Sequence, residues 1–258
     1  DRANAARVQA EGLVDSLTFQ LRDRLNAAGN LSALREMNEA VERYHKTRDA
    51  AEQGKFDERT TEEMRRRAVS LVNQADLSVA QGDYEKAVQS LQEGLKAMWL
   101  LIAEDPANAP AHISDTVAGL QKLAAILEGC GQIAGAKKVH RGAIEMLQRL
   151  SAEIPDAASA CQHGLYVGHM RLAYLELDDG ATAAAETEFR AALAVAEKMQ
   201  TAESGTVFWR ENVASAQLSL GGVLQVTGRF SEAETLVRCS LATKQALLTA
   251  EPENAQLQ

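Results

Sequence analysis

Cys161, His163 and His169 come nearest to a metal site or an activated nucleophile in this sequence. Zinc or thiolate chemistry needs a soft ligand and imidazoles converging on one point, within about 2–2.3 Å of a bound ion. On a helix, offsets of two and six residues turn these three side chains to different faces, so a site would need ligands from a neighbouring helix. The expectation is ordinary packing and surface positions, with no catalytic residue, no metal and no cofactor. Gly129, Gly131 and Gly135 form no phosphate loop, because the lysine is missing and no strand precedes them. Neither H-E-x-x-H nor G-x-S-x-G occurs, so zincin and α/β-hydrolase chemistry have no motif to rest on. His140 falls at a recurring register position and reads as a packing residue.

The elements that carry these residues read as helices. Four prolines, 4% aromatics and 24% charged residues suit long helices in close contact better than sheets. A net charge of -9 argues against nucleic acid as a partner, since phosphate binding needs a basic face. Arg65, Arg66 and Arg67 form the one dense basic run, but consecutive helical positions point about 100° apart and make no single patch. Cys130, Cys161 and Cys239 are odd in number and widely spaced, which indicates neither disulfides nor zinc and suits a reducing cytoplasm. The most apolar run, Ala97 to Ala103, is too short to span a membrane. The chain opens on Asp1 with no leader, and the expectation is a fragment of something longer.

A repeat organises the chain. Gly82, Gly131, Gly180 and Gly228 are spaced 49, 49 and 48 residues apart. Each is followed five residues on by an alanine (Ala87, Ala136, Ala185, Ala233) and preceded by seven residues by a small one (Ala75, Ala124, Ala173, Gly221). Pro106, Pro155 and Pro252 lie 19 residues after their alanines, and Ser204 holds that place in the third copy. The glycine lets the chain leave a helix left-handed, the proline starts the next one, and the small residues let two helices approach closely. The spacing predicts helix pairs over 58–81 with 84–104, 108–129 with 133–152, 157–178 with 181–200, and 205–227 with 230–250. Ala87, Leu91, Leu95 and Met98 form one apolar stripe, and Trp99 is expected in the core under the next repeat.

Leu13, Leu17, Leu21 and Leu25, then Gly29-Asn30, then Leu34, Met37 and Val41 read as a divergent first pair. The fold class is thus all-α, an α-solenoid of about five antiparallel helix pairs. Residues 1–56 form a divergent pair or cap, and 57–106, 107–155, 156–204 and 205–252 form four repeats. Glu251-Pro252-Glu253-Asn254-Ala255 repeats the pattern of Asp105-Pro106-Ala107-Asn108-Ala109, so a further repeat is expected to begin there.

The pattern Gly82-Asp83-Tyr84-Glu85-Lys86-Ala87 and its copies resemble the tetratricopeptide repeat over about residues 58–258. The usual unit is about 34 residues, so both helices here are longer. The segment Ala10 to Gly29 resembles the region before such repeats in bacterial multidomain signalling proteins, where it follows a TIR, protein kinase or caspase-like effector. The resemblance implies a protein-binding or scaffolding module, the sensor or regulatory arm of a larger cytoplasmic protein, and no enzyme. The alternatives are a structural spacer without a groove and, further off, an enzyme with a cryptic site between repeats.

In that family the first helices line the concave face. Two positions before the upstream small residues the register reads Asn73, Lys122, Arg171 and Ser219. This polar ladder, with Gln121, Ala125, Met170 and Tyr174 beside it, is the candidate site for a protein or peptide partner of acidic character; its competing reading is a plain solvated face. The carboxylate grip of the family's chaperone-binding members is not expected, because its positions hold Val72 with Asp76 and Gln121 with Ala125. Self-association is a further possibility.

Overall fold

The computed structural model describes residues 61–203 and 206–250. Eight α-helices and two short 3-10 turns make up these residues, and no strand occurs among them. The helices are α1 (Thr61–Ala80), α2 (Tyr84–Glu104), α3 (Ala109–Gly129), α4 (Ile133–Glu153), α5 (Ala158–Asp178), α6 (Thr182–Ala202), α7 (Val207–Val226) and α8 (Phe230–Ala250). At 20 or 21 residues each is about 30 Å long. Each expected helix has its counterpart within three residues at either end. The opening pair expected over 1–56, and residues 251–258, lie outside the described residues.

The turn glycines punctuate the chain because of their backbone. Gly82, Gly131, Gly180 and Gly228 have φ of 77°, 73°, 76° and 78°, the left-handed region that costs a residue with a Cβ. Around Gly131 the glycine N–H donates to Glu128 O at 2.9 Å and Gln132 N–H to Leu127 O at 2.8 Å. This double closure satisfies carbonyls that the helix end would otherwise leave open. The other three turns repeat it residue for residue. The anchoring alanines donate the first bonds of the second helices, as Ala136 N–H does to Gln132 O at 3.1 Å. They are buried, as are Ala75, Ala124, Ala173 and Gly221 opposite. Pro106–Asn108 and Pro155–Ala157 each make one 3-10 turn before the next helix.

Contacts divide the chain into two compact units, Asp1–Pro106 and Ala107–Gln258. In the first, α1 packs along α2, with Gly94 drawn close to Ala68 and Leu71. Leu101 and Ile102 are buried there, whereas Trp99 and Leu100 are 42% and 56% exposed. Within this unit the apolar run therefore splits between the α1–α2 core and the rest of the helix surface. A helix turns about 100° per residue, so four consecutive apolar residues cannot all face one neighbour.

In the second unit, α3 to α8 stack in chain order and no pair closes its own core. One cluster joins Tyr166 of α5, Ala192, Ala196 and Met199 of α6, and Trp209, Val213 and Ala216 of α7. A second joins Ala173, Ala185, Phe189, Leu220, Val223, Leu224 and Ala233, reaching from α5 to α8. Both span consecutive pairs, the nearest-neighbour dependence that defines a solenoid.

Candidate functional site

Stacking decides which first-helix side chains remain accessible. Gln121 and Lys122 are half-buried on α3; on α5, Arg171 is exposed, Met170 half-buried and Tyr174 44% exposed. Asn73 is half-buried on α1 and belongs to the other unit, so the ladder divides between the two. Within the second unit, Tyr174 and Ser219 come together: their hydroxyl oxygens are 2.7 Å apart, joining consecutive first helices. The Tyr174 ring also meets Phe189 edge to face at 5.1 Å. Met170 packs against both core clusters. The aromatic ring is therefore held from two sides while nearly half of it stays open.

Two further residues share this surface and were missed in the sequence. Phe208 is 46% exposed and lies eleven residues before Ser219, three helical turns, on the same face of α7. His163 stands in the same relation to Tyr174 on α5, and its ring lies 5.3 Å from that of Phe208. The available signal was that spacing of eleven.

Cys161, His163 and His169 go three ways. Cys161 is fully buried, and burial pushes its thiol pKa up, away from the thiolate. His163 packs against Phe208 with the two rings tilted by 42°, and His169 Nδ1 lies 2.7 Å from Glu188 of α6. No group of three His, Cys, Asp or Glu side chains among the described residues is placed to hold a metal ion. His140 is buried on α4, with Nε2 3.6 Å from Glu128. Burial lowers its pKa against the pull of Glu128, and Arg171 adds to the lowering. Tyr166 donates to Asn212 O at 3.2 Å, and burial raises its hydroxyl pKa to about 12.

Electrostatic clamps fasten successive pairs at their turn ends. Lys137, six residues after Gly131, reaches Glu176 at 2.8 Å and Asp179 at 2.5 Å, and Arg141 meets the other oxygen of Glu176 at 2.5 Å. Burial lowers the Lys137 pKa, but hydrogen bonds to Asp179 and Glu176 outweigh it and the net shift is upward. One repeat later the same position is Glu186, with the sign reversed. It accepts from Arg190 at 2.9 Å and Arg229 at 2.6 Å, and both arginines also pair with Glu232. Burial raises the Glu186 pKa, yet the two guanidiniums prevail and lower it.

No protein-family model and no curated protein matches the sequence. Solved structures do. BtubC (BKLC) from P. vanneervenii superposes with a TM-score of 0.63 at 17% identity, over 95% of this chain and 87% of that one. A Podosopora anserina putative kinesin light chain with nearly identical TPR-like repeats gives 0.56 at 18%, over 91% and 96%. The apo form of RapI gives 0.59 at 12%, over 90% and 70%. Likeness at such identities speaks to architecture alone: the chain is an all-α solenoid of tetratricopeptide type.

Proposed function

We propose that the chain is a protein-interaction or scaffolding module whose first helices bind an acidic peptide or loop of a partner. The pinned, half-open Tyr174 carries this reading. A rigid aromatic beside an exposed cation, here Arg171, supplies contact area at little entropic cost and electrostatic selection for acid. Lys122 extends the cationic side along α3 with Gln121 as its neutral polar neighbour, Met170 extends the apolar side, and Phe208 with His163 adds a second aromatic contact. Asn73 is the matching position on α1. The further reading is a sensor or regulatory arm of a larger bacterial signalling protein, working in the cytoplasm; it rests on the resemblance of residues 10–29.

The test is a displayed-peptide selection followed by fluorescence anisotropy at low and high salt. Acidic ligands are expected, and reversing Lys122 and Arg171 to Glu together should weaken them by more than about tenfold at low salt. Unchanged affinity in that variant removes the ladder. A selection that yields no ligand favours the structural spacer.

A further inference from the structure

A first helix flanks α5 on each side, α3 before it and α7 after it, so what stays open on α5 is decided within the described residues. The two junctions differ. The Cα traces of α3 and α5 come within 8 Å of each other at several places, while those of α5 and α7 scarcely approach so closely. The register supplies the reason. At the first junction Val117 of α3 meets Gly164 of α5, where a Cβ would lie 2.7 Å from Val117 Cγ2. One repeat on, the same two places hold Tyr166 and Asn212. A valine against a glycine lets two helices touch. Tyr166 instead reaches across to donate to Asn212 O at 3.2 Å, and the length of its side chain spaces α5 from α7.

The wider spacing leaves a slot between the open faces of α5 and α7, crossed near both ends by side chains. At one end the rings of His163 and Phe208 lie 5.3 Å apart, and Phe208 is backed at 5.0 Å by the buried ring of Trp209. At the other end the hydroxyls of Tyr174 and Ser219 close to 2.7 Å. Val167 and Met170 of α5, half-buried over the core, lie between. Arg171 is exposed and stands eight residues from His163, about 12 Å along the helix. It forms no ion pair among the described residues, whereas Arg141, Arg190, Arg229 and Arg238 are all paired.

We propose, resting on the reading that the first helices bind an acidic segment, that this slot selects a second feature of the partner. The segment lies extended along α5, with a large apolar side chain against Phe208 and His163 and its acid at Arg171. Side chains four residues apart in an extended chain share a face and are separated by about 13 Å, which matches the span from His163 to Arg171. The recognised pattern is therefore a large apolar residue, three others and an acid, in either chain direction. The aromatic end gives a rigid, already backed surface for the apolar contact, and the unpaired guanidinium gives the charge that the acid completes.

Random displayed peptides of about twelve residues, selected on the full chain, should converge on an acid with a large apolar residue four positions away. Fluorescence anisotropy then uses a synthetic copy of the selected peptide. Replacing its apolar residue by alanine should weaken binding by about tenfold, and so should moving that residue by one position, which turns it to the other face. Phe208→Ala should also cost about tenfold, and little more when combined with the alanine peptide, because both changes remove one contact. The peptide arms leave the protein untouched, so they stand even if the variant folds poorly. In a Trp99→Phe chain Trp209 is the sole tryptophan, and its emission should shift on binding. Acidic ligands that are lost on reversing Lys122 and Arg171, yet ignore both the spacing and Phe208→Ala, would overturn the slot and leave the acidic reading standing. Ligands with the apolar residue that ignore Arg171→Glu would overturn the pairing of the two features. A selection without any ligand would overturn the slot together with the reading beneath it.

Discussion

Gly164 and Gly142 are both helical glycines, and replacing each by alanine should affect stability unequally, with a gain at Gly142 and none at Gly164. Alanine gains about 1 kcal/mol over glycine in a helix interior, and that gain is common to both. The surroundings differ. A Cβ on Gly142, exposed on α4, would meet nothing within 4 Å. On Gly164 it would lie 2.7 Å from Leu147 Cδ1 and 2.7 Å from Val117 Cγ2. Both neighbours are buried, on α4 and α3, so relief requires Leu147 and Val117 to turn within a packed core or α5 to move off the preceding pair. Overpacking of this kind costs about 1–3 kcal/mol. Gly142→Ala should therefore stabilise by about 1 kcal/mol, while Gly164→Ala should range from neutral to about 2 kcal/mol destabilised. Urea unfolding followed by circular dichroism measures both, and hydrogen exchange shows whether the loss in Gly164→Ala localises to α3–α5, as a nearest-neighbour array requires. Equal stabilisation by the two substitutions would refute the claim that close α5 packing at Gly164 holds the consecutive pairs together.

Phe189→Ala empties a fully buried site shared by α5, α6 and α7 and should cost about 3–5 kcal/mol, with exchange protection lost first in α7 and α8. A loss below about 1 kcal/mol would contradict the shared core. The pH dependence of stability should also reveal His140. Burial holds its folded pKa below the ordinary 6.5, so the unfolded chain takes the proton first; stability is full above pH 6.5 and is lost progressively as pH falls to the folded value. His163, lowered by partial desolvation where its otherwise exposed ring lies against Phe208 and Trp209, adds to the same slope. His140→Leu, which installs the residue that Leu91 provides in the first unit, should flatten the acid-side decline in urea titrations; an unaltered slope would assign the proton elsewhere.

Much of the fold could be read from the chain because its signals are local. A positive φ at Gly131 is a property of one residue, and it recurs at a fixed step, so turns and helix ends followed directly. What lay across repeats was harder to see. Tyr174 and Ser219 are 45 residues apart, and only the stack brings their oxygens to 2.7 Å. The Lys137 clamp left a trace in the register, since Glu176 stands where Leu127 and Leu224 stand in adjacent copies, an acid in an apolar column.

The reversal of sign between Lys137 and Glu186 makes the copies individual despite their common outline. Were residues 158–202 duplicated in tandem, Glu186 of the first copy would face Glu176 and Asp179 of the second, three carboxylates with Arg190 as the cation in register, where the native junction sets Lys137 and Arg141 against two acids. Deleting those residues would instead set Lys137 against Leu224 and Thr227, a cation with no acid to meet it. The order of modules along this array is thus written in charge at the joints, and an engineer who lengthens it must recode each joint along with the helices.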